Sequence, residues 1–121
     1  MPFQFTLANL LAHNEGAIAV LFLDETGETV DLTSTDFKPF QMKIAGAYVG
    51  IYLRQLAGML DRADLGTTEL LHIEKDDLHM YATPLPEGYY LVLIQRRPAL
   101  VARARETLLN ARDEIAREIF S

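Results

Sequence analysis

Cysteine is missing from this 121-residue chain altogether, which excludes disulfides, thiol nucleophiles and Cys-based metal centres and fits a reducing compartment. Cationic side chains are also scarce, with 11 Lys and Arg against 17 Asp and Glu for a net charge of −6. They form no stripe interleaved with aromatic residues, so nucleic acid is not an expected partner, and an anionic membrane surface is hardly a better one. No apolar run reaches the roughly 20 residues that span a bilayer. The opening stretch, MPFQFTLANLLAHNEG, has neither the positive region nor the small-residue cleavage site of a signal peptide. A soluble, cytoplasmic protein without membrane insertion is expected. A nucleophile motif, a phosphate-binding glycine loop, an HExxH pair and a dinucleotide fingerprint are absent as well.

What is present suffices for folding. Half of the residues are hydrophobic and 23% are charged, the balance of a globular protein, and the length suits one core, so residues 1–121 are expected to form one domain. The organising stretch is 35–62, which reads as one long helix with two apolar faces. At 3.6 residues per turn, Met42, Ala45, Val49, Tyr52, Leu53, Leu56 and Leu60 share a broad face, with Gly46, Gly50 and Ala57 along its margin. That face is expected to lie on the protein's own core. Nearly opposite fall Phe40, Ile44, Ala47, Ile51 and Gly58, in the rhythm of a seam between two helices. Lys43, Arg54 and Asp61 separate the faces on one flank, and Gln41 and Gln55 on the other. The second stripe is either scattered surface, or covered by this chain itself, or the seat of a partner helix, most simply a second copy.

Around this helix the chain alternates between strand and helix signals. Residues 5–12 suggest a short helix. The unbroken apolar run 17–23 suggests a central strand covered on both faces, closed by the turn Asp24-Glu25-Thr26-Gly27, and 28–33 alternates like its hairpin partner nearer an edge. Ser34, Thr35 and Asp36 offer capping oxygens to the long helix, with Pro39 tolerable in its first turn. Residues 67–74 alternate, and 77–83 fold back through a tight turn at Lys75-Asp76, a register that sets Leu71 against Met80 and Ile73 against Leu78 on one face and His72 against His79 on the other. Residues 89–94 make a second central strand. From Pro98 onward Val101, Ala104, Leu108, Ala111, Ile115 and Ile119 mark a closing amphipathic helix.

Hairpins make the sheet antiparallel, and two strands apolar throughout require cover on both faces. The expected fold is therefore α+β: an α/β/α sandwich whose five-stranded sheet, in order 2-1-5-4-3, carries the long middle helix on one face and the terminal helices on the other. Strand 67–74 becomes an edge able to accept another chain. Its Glu69, Leu71 and Ile73, together with the outer helix stripe, are the candidate interface.

Chemistry-bearing residues are few. His72 and His79, with Glu74 or Asp77, fall short of the three or four convergent ligands a metal needs, so no metal, cofactor or catalytic residue is expected. Tyr48, Tyr52, Tyr81, Tyr89 and Tyr90 read as core and strand residues. Arg96 and Arg97 are either solvated strand-end charges or a contact for an acidic partner. The Gly46-xxx-Gly50 spacing suggests close packing of helix on sheet, since glycine otherwise weakens a helix interior by about 1 kcal/mol.

The order of elements, the stretch GAIAVLFLDETGE (16–28), the stretch LPEGYYLVL (85–93) and the closing helix together resemble the roadblock/dynein light-chain family. The resemblance covers residues 5–119, although the first helix looks short for that family and the link from Gln95-Arg96-Arg97 into Pro98 looks abrupt. It implies an α/β/α sandwich that dimerises through its middle helix and third strand, giving a ten-stranded sheet across the pair. Members act as adaptors or regulators that bind small Ras-like GTPases, sometimes stimulating GTP hydrolysis, or that tether motor and signalling complexes. The expectation is thus a non-enzymatic, homodimeric module, a regulator or scaffold for such a GTPase or complex. Its interface would be Phe40, Ile44, Ala47, Ile51, Gly58, Glu69, Leu71 and Ile73, with Arg96 and Arg97 toward the partner. The alternative is a small-ligand-sensing domain, against which the dense filling by Leu, Ile, Val and Phe argues.

Overall fold

Seven consecutive apolar residues form β1 (Ala17–Leu23), and all seven are buried. This is so because β1 lies second in the sheet, with a helical layer on either side. A computed structural model gives the structure, and it describes residues 2–35, 39–63, 65–66 and 68–120, the side chains of Pro2, Pro39 and Phe40 excepted. The elements run α1 (Pro2–Ala12), β1, β2 (Thr29–Ser34), α2 (Pro39–Arg62), β3 (Leu71–Glu74), β4 (Leu78–Pro84), β5 (Tyr90–Arg96) and α3 (Val101–Ile119). The strands form one antiparallel sheet in the order β2-β1-β5-β4-β3, as the sequence suggests.

Two cores share this sheet. On one face Val20, Phe22, Tyr81, Leu91 and Leu93 meet Phe3, Leu7 and Leu10 of α1 and Ala104, Leu108, Ala111 and Ile115 of α3. On the other, Leu21, Leu23, Val92 and Ile94 meet Met42, Val49 and Leu53 of α2. A bulge in β1 serves both: Ala17 pairs with Gln95 and Ala19 with Ile94, so Ile18 is the extra residue. Ile18 and Ala19 consequently face the α2 side together, while Ala17 and Val20 face the other. The β1–β2 turn is fixed by Asp24, whose Oδ1 accepts from the Thr26 amide (2.9 Å), the Thr26 hydroxyl (2.6 Å) and the Glu28 amide (3.0 Å). These bonds, the hydroxyl's first, hold its carboxyl below the usual carboxylate range. Gly27 takes the left-handed conformation (φ 89°) that the turn requires.

Several expectations need correction. The first helix begins at Pro2, not at residue 5, and its buried stripe is Phe3, Leu7 and Leu10, with Phe5 78% exposed. It is therefore not short. Ser34 and Thr35 belong to the sheet rather than to a helix cap: Ser34 pairs with Ala19 and the Thr35 amide donates to the Ile18 carbonyl (3.0 Å). The helix proper starts at Pro39, and the capping role suggested for Asp36 lies outside the described residues. β3 is four residues long instead of eight; Thr67 lies outside the described residues, and Glu69 meets β4 through its carbonyl, which accepts from the Thr83 hydroxyl (2.8 Å).

The β3–β4 register is displaced by two. Leu71 pairs with Ala82, His72 with Tyr81, Ile73 with Met80 and Glu74 with His79, because the turn is Asp76-Asp77 and the Lys75 amide donates to the Leu78 carbonyl (2.8 Å). A slip of two keeps every side chain on its face, so the apolar pattern does not distinguish the two registers. At the far end the Arg97–Pro98 peptide is cis and α3 follows; Ile119, in its last position, is exposed.

Candidate functional site

Two glycines decide how α2 meets the sheet. A Cβ on Gly46 would stand 3.0 Å from Cδ2 of Leu21, and one on Gly50 only 2.1 Å from the Tyr90 ring. The helix backbone thus rests almost directly on β1 and β5, as the glycine spacing suggests. The buried face is Met42, Gly46, Val49, Gly50 and Leu53, which is rotated by roughly 50° from the broad face expected on large apolar residues alone, at about 100° per residue. Tyr52 and Leu56, expected in the core, are exposed, and so is Tyr48. Tyr81 and Tyr90 are buried as expected, and Tyr89 is half-buried.

The rotation enlarges the outer stripe. Ile44, Tyr48, Ile51, Tyr52, Leu56 and Met59 are all 36–59% exposed, and at spacings of three, four and seven they form one continuous arc along the helix. Among these six stands exposed Gln55 but no charged residue, and Arg62 follows one turn after Met59; Lys43, Arg54 and Asp61 keep to the opposite flank. Arg54 turns from that flank to the β1–β2 turn, where its guanidinium donates to the Glu25 carbonyl and lies 5.7 Å above the Tyr90 ring centre. On the same layer, Leu71 and Ile73 of β3 and Leu78 and Met80 of β4 pack on the α2-side core while staying half-exposed. The outer edge of β3 has no neighbouring strand among the described residues.

The structure therefore brings Ile44 and Ile51 together on the exposed arc, with Ala47 and Gly58 half-buried beside it and Leu71 and Ile73 on the same layer. The side chain of Phe40 lies outside the described residues. Glu69 is turned elsewhere, its carboxylate 3.5 Å from Arg112 of α3. Arg97 pairs with Glu74, its Nε donates to the Lys75 carbonyl (3.2 Å) and its amide to the Asp77 carbonyl (3.1 Å), so it is tied to the β3–β4 hairpin. The hydrogen bond and charge of Arg97 hold the Glu74 carboxyl below the usual carboxylate range. Arg96 is exposed, and its amide donates to the Gly16 carbonyl (2.8 Å).

On the opposite sheet face runs a line of polar side chains. Nε2 of His72 and Nδ1 of His79 are 2.8 Å apart, and both rings stack on Tyr81, with centres 4.6 and 6.0 Å away. The Tyr81 hydroxyl donates to Oε1 of Gln95 (2.9 Å), whose Nε2 donates to the Glu15 carbonyl (2.9 Å). Burial pushes His72 below the usual imidazole range and raises the Tyr81 phenol. Gln95 is marked in the sequence only as a lone polar residue ending an apolar strand, a signal not among the expectations above. Among the described residues no group of three or more His, Asp or Glu is placed to hold a metal ion, and no helix is long and apolar enough to cross a membrane.

No protein-family model matches the sequence, and no curated protein does. Solved structures match its shape. The Roadblock/LC7 domain from Streptomyces avermitilis is 14% identical, over 97% of this chain and 97% of its own, with a TM-score of 0.83. MglB in a tetrameric arrangement is 16% identical, over 96% of this chain and 86% of its own, at 0.84. MglC from Myxococcus xanthus is 20% identical, over 98% of this chain and 100% of its own, at 0.74. The fold expected from the resemblance is the fold observed.

Proposed function

We propose that this chain is a non-enzymatic cytoplasmic module that pairs with a second copy of itself, the pair serving as a regulator or scaffold of a small Ras-like GTPase. The observation that carries the reading is the exposed arc on α2. Lone exposed apolar residues are ordinary, but six in one arc are a contact surface. Burying side chains already half covered contributes about 1 kcal/mol each, so the two arcs of a pair together supply about 12 kcal/mol. Association costs about 4–15 kcal/mol. The helix face alone is thus marginal, and the interface extends over Leu71, Ile73 and the unpaired backbone of β3, where strand addition contributes further hydrogen bonds. In this reading Ile44, Ala47, Ile51 and Gly58, joined by Tyr48, Tyr52, Leu56 and Met59, form its centre. Phe40 continues the stripe one turn earlier in the sequence, and Glu69 stands at the rim.

Support for self-association comes from the shared fold, since MglB occurs in a tetrameric arrangement. Support for the GTPase comes from the roadblock resemblance together with that fold. Because Arg97 is held by Glu74, the module acts by positioning the GTPase's own switch elements, with Arg96 the arginine nearer a partner. The ligand-sensing alternative gains no observation, since Leu21, Leu23, Val49, Leu53, Val92 and Ile94 fill the space between α2 and the sheet.

Sedimentation equilibrium of the wild type beside Ile51→Arg tests the pairing. A wild-type dimer and a folded Ile51→Arg monomer are expected. A wild type that stays monomeric at high micromolar concentration refutes the homodimer. Capture of candidate GTPases in their GDP and GTP-analogue states then tests the partner, and equal failure with both states sinks it.

A further inference from the structure

The line of polar side chains has no part in the pairing surface, and its outermost link sits on the least secured strand. β3 is four residues long, with no strand beyond it among the described residues, and it is held by a ladder to β4. His72 of β3 reaches diagonally across that ladder to His79, which is 4% exposed. A hydrogen bond between two imidazole nitrogens 2.8 Å apart needs one N–H and one bare nitrogen, so the joined pair holds one proton at most beyond its neutral form. A second would set two N–H groups and two positive charges against each other.

We propose that the His72–His79 pair is an acid-sensitive latch fastening the edge strand β3 to the sheet. The surroundings offer the second proton no acceptor. Glu74 of β3 favours a charge on the pair, but its carboxylate is taken by Arg97 at the end of β5. Arg97 and Arg105 of α3 oppose one. Tyr81 of β4 and Gln95 of β5 are neutral, and their hydroxyl and amide are spent on each other and on Glu15. Burial acts on His72 in the same direction. Once β3 lifts, the bond between the rings is broken, both imidazoles meet water and the bar on a second proton is gone. Opening is therefore linked to uptake of at least one proton. Glu74, held low by Arg97, stays ionised throughout that range. The latch does not rest on the pairing reading; that acid would also loosen the edge a second copy meets does rest on it.

Hydrogen exchange of the full chain between pH 7.5 and 5 tests the latch. Protection of the β3 amides bonded to β4 is expected to fall about tenfold per pH unit below about 6.5, the slope of one linked proton, while β1 and β5 keep theirs. In His72→Gln, which leaves no imidazole pair, that slope is reduced. Four results overturn the latch: constant β3 protection, the same slope in His72→Gln, β3 and β1 losing protection together, or a slope that changes on tenfold dilution, which places the acid step in association. A check that needs no variant is the ring-nitrogen NMR titration of the wild type. Two coupled rings sharing one hydrogen bond are expected, and two independent single-site curves overturn the latch.

Discussion

Alanine substitutions along α2 turn its seating into a signed measurement. In a helix interior Gly→Ala stabilises by about 1 kcal/mol when nothing opposes it. At Gly58 little does, since the nearest atom to a new Cβ is Nη1 of Arg62 at 3.5 Å, so Gly58→Ala should raise stability by about 0.5–1 kcal/mol. At Gly46 the new methyl would meet Cδ2 of Leu21 at 3.0 Å. A flexible methyl yields at a cost of about 1 kcal/mol, so the net change is near zero. At Gly50 two ring carbons and the hydroxyl oxygen of Tyr90 stand 2.1 Å away, whereas carbon atoms prefer about 3.5–4 Å, so helix and ring must part by more than about 1 Å. Tyr90 is 1% exposed and lies on a central strand, so its ring has little room to yield. Overpacking of that kind costs about 3 kcal/mol, leaving Gly50→Ala less stable by about 2 kcal/mol and lower in Tm by about 8 °C. Urea unfolding followed by far-ultraviolet circular dichroism reads all three, best in the Ile51→Arg background so that self-association adds nothing. The order Gly58→Ala, Gly46→Ala, Gly50→Ala from most to least stable is the expected result. A Gly50→Ala protein as stable as Gly58→Ala would mean that α2 does not sit on Tyr90, and the exposed arc would have to be redrawn.

Two further perturbations probe the layers around this helix. Asn14 is buried and donates to the Leu10 carbonyl and to Oγ1 of Thr107 (both 2.9 Å), joining α1 to α3; Asn14→Ala should cost about 2 kcal/mol in chemical unfolding, and combination with Thr107→Val should be less than additive by at least about 0.5 kcal/mol. Full additivity would show that the bond between them carries no coupling. The Glu74 carboxyl is lowered by Arg97, so its share of stability is present above the ordinary value of 4.5 and is lost as pH falls below it. In a His72→Gln background, which removes the imidazole pair, the Tm difference between the parent and Arg97→Ala should therefore be flat from pH 7 to about 5.5 and shrink below about 4.5; a difference that grows in acid would contradict the assignment.

The fold was legible because its two decisive signals are long. The runs 17–23 and 89–94 both demand cover on two faces, and once they are neighbours the hairpins leave one strand order. The register of β3 on β4 was not legible from apolar spacing, because a slip of two preserves every face. The clue that decides it is turn chemistry: Asp76-Asp77 places two turn formers in the loop, whereas Lys75-Asp76 places one. The seating of α2 is hidden in the sequence for a related reason. Glycine adds nothing to a hydrophobic pattern, yet Gly46 and Gly50 belong to the buried face, so an arc weighted by large side chains swings toward Tyr52 and Leu56.

If the large apolar residues of α2 served this chain's own core, evolution would need only one such face, and the side opposite the glycines would be free to carry charge. Instead Ile44 to Met59 keep an uncharged, mostly apolar arc over a helix length of about 22 Å, interrupted only by Gln55, while Lys43, Arg54 and Asp61 are confined to the other flank. On the reading proposed above, an exposed helix face that excludes charge over four turns, beside a sheet edge with no strand beyond it among the described residues, is a surface shaped by what docks on it.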